Sequence, residues 1–66
     1  MTIGERWWLA ATFRQRIGLM REMGFGDVRA YAGYQWHHFQ PHTRAEIDDI
    51  IAQGSRGAKL LKVMAN

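Results

Sequence analysis

Residues 2–23, TIGERWWLAATFRQRIGLMREM, decide the fold, because they contain no proline and repeat apolar side chains at helical spacing. The stretch opens with Thr2-Ile3-Gly4-Glu5, the spacing of a capping box. In that motif the threonine hydroxyl and the glutamate carboxylate each satisfy a free backbone N–H at the start of a helix. The sequence therefore predicts one long N-terminal helix from Thr2 to Met23.

The apolar side chains of this predicted helix fall on three lines along its surface. One line is the expected core stripe, and it consists of Leu9, Phe13, Ile17 and Met20 with Ala10 beside them. The other lines consist of Trp8, Leu19 and Met23, and of Trp7, Ala11 and Gly18. One stripe is enough to pack a helix against its own domain. The surplus, and Trp8 above all, indicates a central helix, a dimer seam or a docking face for another protein.

The second segment, residues 28–40, admits two interpretations. Gly24 is suited to end the first helix, and Asp27 is suited to cap a following one. Residues 28–39 also alternate tolerably as strands, but a hairpin there would turn at Ala32-Gly33, without the Asn-Gly or Asp-Gly that tight turns prefer. We expect a helix, with a hairpin at 28–39 as the α+β alternative.

The remaining residues that begin or end helices predict two shorter helices. Pro41 ends the second segment, and the capping-box spacing of Thr43 and Glu46 begins a third helix that runs to about Gln53. Gly54 stops that helix, and a short fourth helix is expected over residues 56–64. The sequence as a whole thus predicts a single all-α domain over residues 1–66, a small bundle of three or four helices.

Composition narrows the class of protein. The 66 residues carry a formal net charge of +3 and no cysteine, which excludes thiol catalysis and zinc sites built on thiolates. No segment has the roughly 18 consecutive apolar residues of a membrane span, and the N-terminus does not resemble a secretory signal. We expect a cytoplasmic protein that does not contact a membrane.

The histidines are the candidates for chemistry. His38 and His42 have the i, i+4 spacing of zinc ligands, but Pro41 between them disrupts the helix that this spacing needs. The acidic residues do not form a pair suited to acid–base work, and Ser55 is best explained as a helix cap. We therefore expect no enzyme activity, no metal and no cofactor.

The C-terminal residues suggest a nucleic-acid alternative. The third and fourth predicted helices, joined through Gly54, half match a helix-turn-helix. In that reading Arg56, Lys59 and Lys62 would contact phosphates. The alternative function is accordingly that of a small helix-turn-helix-like DNA-binding transcriptional regulator.

The preferred function is protein binding through the N-terminal helix. Tryptophan and arginine are enriched among interface hot spots, and the predicted partner-binding residues combine them with the surplus apolar line: Trp7, Trp8, Arg14, Leu19, Arg21 and Met23. We expect a non-enzymatic regulator or inhibitor that docks on a larger protein and forms a homodimer. From its size and type we also expect it to be encoded by a phage or another mobile element.

Overall fold

The N-terminal apolar stretch folds as two helices rather than one. The structure, a computed structural model, describes residues 1–54. Helix α1 spans Ile3–Ala10 and helix α2 spans Phe13–Glu22. Between them Ala11 and Thr12 have extended backbone, with ψ of 145° and 164°. The prediction of a single long helix is therefore wrong.

The break has a local cause in Thr12 and Gln15, which form a capping box in the middle of the apolar stretch. The Thr12 hydroxyl accepts a hydrogen bond from the Gln15 backbone N–H (3.1 Å), and Gln15 Oε1 accepts one from the Thr12 N–H (2.8 Å). These bonds satisfy the Thr12 and Gln15 backbone N–H groups at the start of α2. A new helix can therefore begin here without hydrogen bonds to a preceding helical turn.

The other predicted helix ends around α1 and α2 are confirmed. Thr2 caps α1, because its hydroxyl accepts from the Glu5 N–H at 3.2 Å. Gly24 ends α2 with φ of 86°, and the Gly24 and Phe25 N–H groups donate to the Arg21 and Met20 carbonyls. This is the Schellman arrangement, in which a left-handed glycine lets two N–H groups turn back to the last helical carbonyls.

Residues 28–40 are helical only in part. Helix α3 spans Val28–Ala32, capped by Asp27 as predicted, and a 3₁₀ helix spans Trp36–His38. Because the structure describes no strand in residues 1–54, the hairpin alternative is wrong. One helix across the whole segment is also wrong, since Gly33 closes α3 and Gln35 is extended.

Helix α4 spans Pro41–Ala52. It therefore begins at Pro41, before the predicted start at Thr43. Proline suits the first helical position, because it has no N–H to leave unsatisfied. Thr43 therefore lies inside the first turn and is buried instead of capping the helix. Gly54, with φ of 64°, ends the helix as predicted. The predicted fourth helix, residues 56–64, lies outside the described residues.

The helices form a small bundle in which α1 packs against α4, and α2 packs against α3. This confirms the all-α prediction. The core consists of Trp7, Trp8, Leu19, Met20, Trp36, Phe39, Ile47 and Ile51. No helix within residues 1–54 is long and apolar enough to cross a membrane.

The break also changes which side chains of the N-terminal stretch are buried. Leu9 and Phe13 are 57% and 48% exposed, whereas Trp7 and Trp8 are buried. A continuous helix would keep Leu9 and Phe13 in line with Met20. The extended residues between α1 and α2 change the direction of the chain, so the buried face of α1 is not continued along the same stripe in α2.

The contact between α1 and α4 depends on Gly4. Its N–H donates to Asp48 Oδ1 at 2.8 Å. A Cβ at this position would collide with the same carboxylate oxygen and would lie 3.0 Å from both the Asp48 backbone nitrogen and a Trp36 ring carbon. The absent side chain therefore allows the two helices to approach closely.

We predict that Gly4→Ala lowers the free energy of unfolding by about 1–3 kcal/mol, because overpacking forces neighbouring groups to move. Gly26→Ala is the matched control, since no atom of the described residues, 1–54, lies within 4 Å of its added Cβ. Urea unfolding of the two variants measures the difference. Equal stabilities would contradict the close packing of α1 on α4.

Candidate binding pockets on either side of Tyr34

Trp8 is at the centre of the fold rather than surplus to it. Its side chain is 0% exposed, and its indole N–H donates to the Tyr34 carbonyl at 2.9 Å. Its ring meets Phe39 edge-on, with ring centroids 5.0 Å apart. The prediction that Trp8 lies on a docking face is therefore wrong, because the chain's own segments cover it.

The break between α1 and α2 leaves the Trp8 carbonyl free, and Arg16 binds it. In an unbroken helix this carbonyl would accept from the Thr12 N–H, which instead bonds to Gln15. Arg16 donates from Nε (2.9 Å) and from Nη2 (2.6 Å) to the Trp8 carbonyl. The guanidinium carbon also lies 4.8 Å from the centroid of the Trp8 ring, a cation–π distance.

The other predicted partner-binding residues divide by exposure. Trp7 and Leu19 are buried in the core, so they cannot present their side chains to a partner. Met23 is partly buried and packs against the core. Arg14 and Arg21 are exposed, and their role in binding stays a prediction. The burial of Trp8 and Leu19 removes the reason for which a homodimer was expected.

An open pocket of about 260 Å³ lies beside Trp8. We call it the tryptophan pocket, and its lining residues are Glu5, Trp8, Leu9, Arg16, Gly33, Tyr34, Gln35, Trp36 and His37. Exposed Leu9 stands at its edge. Phe13 lies one turn before Arg16 on α2, on the side of the helix that Arg16 shares. The pocket thus combines buried indole rings with one exposed apolar side chain, that of Leu9.

A second pocket, of about 240 Å³, shares Tyr34 with the tryptophan pocket. We call it the tyrosine pocket, and its lining residues are Phe25, Tyr31, Tyr34, His38, Phe39, Gln40, His42 and Thr43. Four of these rings follow one another in contact, with centroid distances of 4.5 Å (Phe25–Tyr31), 4.9 Å (Tyr31–Tyr34) and 5.2 Å (Tyr34–Phe39). They form a continuous aromatic wall beside the start of α4.

Both candidate zinc ligands border the tyrosine pocket. His38 lies in the 3₁₀ helix and His42 in the first turn of α4, on either side of Pro41. Within residues 1–54, no group of three or more histidine, cysteine, aspartate or glutamate side chains is placed to hold a metal ion.

The predicted nucleic-acid contacts, Arg56, Lys59 and Lys62, lie outside the described residues, as does the second helix of the helix-turn-helix reading. That alternative stays a prediction.

Sequence reasoning missed Leu9, Phe13 and Arg16 as candidate site residues. The helical spacing placed Leu9 and Phe13 in the core stripe. Nothing in that spacing distinguished Arg16 from the other arginines of residues 2–23. The signal that could have found them is the Thr12–Gln15 spacing, which marks a helix start. Once the break is placed there, a donor is needed for the orphaned Trp8 carbonyl, and Arg16 is close enough along the chain to supply it.

We predict that Arg16→Ala lowers the free energy of unfolding by about 1–2 kcal/mol, because it removes two hydrogen bonds from a charged donor to a carbonyl that nothing else satisfies among residues 1–54. Arg14→Ala is the matched control: it lies on the same helix, is exposed, and should change stability by less than about 0.5 kcal/mol. Chemical denaturation followed by tryptophan fluorescence measures both. Equal effects of the two substitutions would show that the Arg16 contact does not hold the break.

The chain was compared with family models, with curated proteins and with solved structures, and none of these comparisons gave a match.

Proposed function

We propose that this protein is a small non-enzymatic module that regulates or inhibits a larger protein by docking on it. The docking surface is the junction of α1 and α2, which we call the junction surface and define as Leu9, Phe13, Arg14 and the tryptophan pocket. The observation that carries the proposal is the exposure of Leu9, which lines this open pocket, and of Phe13 at the start of α2.

The geometry suits one apolar anchor from a partner. The pocket, at about 260 Å³, is smaller than the roughly 300–1,000 Å³ of pockets for drug-sized ligands. A single inserted side chain would lie beside Leu9 and the exposed part of Trp36, with the fully covered Trp8 behind them. Interfaces of this kind draw most of their binding energy from a few buried aromatic and arginine contacts.

Charge favours an acidic partner over a second copy of the chain. Helices α1 and α2 carry four arginines against two glutamates, and Arg6 and Arg14 among them are exposed. A symmetric dimer through this face would bring like charges together, which opposes association. An acidic segment with an apolar anchor would instead find complementary charge on the exposed arginines of α1 and α2.

We predict that the double substitution Leu9→Asn with Phe13→Asn weakens partner binding by at least ~2 kcal/mol, about thirtyfold in Kd, with little change in melting temperature. Both side chains are largely exposed, so the fold does not depend on their burial. Ile3→Asn is the matched control, because Ile3 is 49% exposed on α1 and lies at the opposite end of that helix from Leu9 and the junction.

The measurement is affinity capture from nuclease-treated lysate with the wild type and both variants, followed by titration against the purified partner. Retention of one protein by the wild type and by Ile3→Asn, but not by the double variant, supports the proposal. If all three capture the same proteins, the junction surface is not the docking site. If a protein is retained from untreated lysate but not from nuclease-treated lysate, the result favours binding to nucleic acid through the basic C-terminal residues.

A further inference from the structure

We propose that the basic segment 55–66 binds to its own domain, at the place where the start of α1 meets the second half of α4. We call this surface the terminal face and define it as Met1, Ile3, Asp48 and Asp49. The proposal does not depend on the junction surface, which lies at the other end of α1. It rests on where α4 ends, on the apolar side chains exposed there, and on complementary charge.

Helix α4 ends beside the start of α1. The Gly4 N–H donates to Asp48 Oδ1, so the first turn of α1 contacts the second half of α4. Toward the other end of α1, Trp8 packs on Phe39, which precedes α4. The two helices therefore run in opposite directions. Helix α4 continues for about one turn past Asp48, and the chain leaves it near Ile3.

Apolar side chains are exposed at the point that the chain reaches. Met1 is 81% exposed and Ile3 is 49% exposed. The other large apolar side chains exposed within residues 1–54, those of Leu9 and Phe13, belong to the junction surface. Isolated exposed apolar residues are common on protein surfaces, but these two lie beside the point from which twelve further residues continue. Those residues can cover them without a second molecule.

The same side of α1 carries a buried donor without a partner. Trp7 follows Ile3 by four residues, the spacing that places two side chains next to each other on a helix. Trp7 is 8% exposed, and its indole N–H has no hydrogen-bond partner among residues 1–54. Nearly all buried donors in native proteins are paired. This N–H therefore indicates an acceptor outside residues 1–54, and a backbone carbonyl of the segment 55–66 is the acceptor that we assign to it.

The segment 55–66 is complementary to this surface in charge and in apolar character. Its charged residues are all basic, namely Arg56, Lys59 and Lys62. Helix α4 carries three acidic residues against one arginine, so opposite charges would meet. The adjacent Leu60 and Leu61 supply an apolar anchor for Ile3. The five residues between Gly54 and Leu60 can span up to about 17 Å, and a segment tethered this closely has a high effective concentration, which favours it over a second copy.

The test uses the full chain in solution and measures nuclear Overhauser contacts. We expect contacts from the Ile3 methyl groups and the Trp7 indole proton to Leu60 or Leu61. The absence of any contact between residues 55–66 and α1 would overturn the proposal. A mixture of isotope-labelled and unlabelled chains separates contacts within one chain from contacts between chains. Contacts that occur only between chains would assign the terminal face to a second copy and would also overturn it.

Substitution of the apolar anchor tests which side chains hold the segment. Leu60→Asn with Leu61→Asn should abolish the contacts to Ile3. The chemical shifts around Tyr34 should stay unchanged, because the core of residues 1–54 forms without these leucines. Contacts that persist in this variant would overturn the apolar anchor.

Charge reversal keeps the proposal testable if the leucine variant does not fold. Lys59→Glu with Lys62→Glu should reduce the intensity of the contacts at least severalfold, because acidic side chains would then meet the acidic residues of α4. Arg21→Glu with Arg29→Glu is the matched control, since it reverses the same amount of charge on exposed residues of α2 and α3. The control should keep the contacts, and an equal loss in both variants would overturn the assignment of the acidic residues of α4.

Discussion

The fold depends on how the chain satisfies the backbone groups that it frees between α1 and α2. Breaking a helix there leaves the Trp8 carbonyl and the Thr12 N–H without their usual partners. Gln15 binds the Thr12 N–H, and Arg16 binds the Trp8 carbonyl with two donors. Both come from the first turns of α2, so the second helix stabilises the end of the first. Because the Trp8 carbonyl is partly buried and an unpaired buried carbonyl is costly, these two side chains stabilise the break.

Trp8 connects the break between α1 and α2 with the rest of the molecule. The Arg16 guanidinium binds its carbonyl and covers one side of its ring. On other sides its indole N–H holds the Tyr34 carbonyl, and its ring packs against Phe39. One residue thus connects α1, α2 and the segment before α4. The same placement buries the aromatic surface that the sequence offered for docking, while Leu9 remains at the surface.

Much of the fold could be predicted from capping chemistry, which acts over a few residues. The roles of Thr2, Gly24, Asp27 and Gly54 all followed from local hydrogen bonding or from a left-handed backbone. The apolar periodicity of residues 2–23 failed as a guide because it is a property of the whole stretch, and a cap at Thr12 divides it. Where a capping box lies inside a periodic stretch, the cap is the stronger evidence on where a helix begins. Leu9 and Phe13 can be recognised as exposed site candidates only once the stretch has been divided at Thr12.

The segment between α3 and α4 could not be assigned from sequence for a different reason. Its carbonyl groups are held by side chains distant in sequence or on the next helix: Trp8 binds that of Tyr34, and Arg44 binds those of His37 and Phe39 at 3.3 Å and 2.9 Å. Neither helical nor strand periodicity describes a backbone that is satisfied in this way. This segment contributes residues to the lining of both the tryptophan pocket and the tyrosine pocket, and Tyr34 lines both. The irregular backbone between α3 and α4 thus takes part in both concave surfaces, and for that reason the candidate sites and the unpredicted part of the fold coincide.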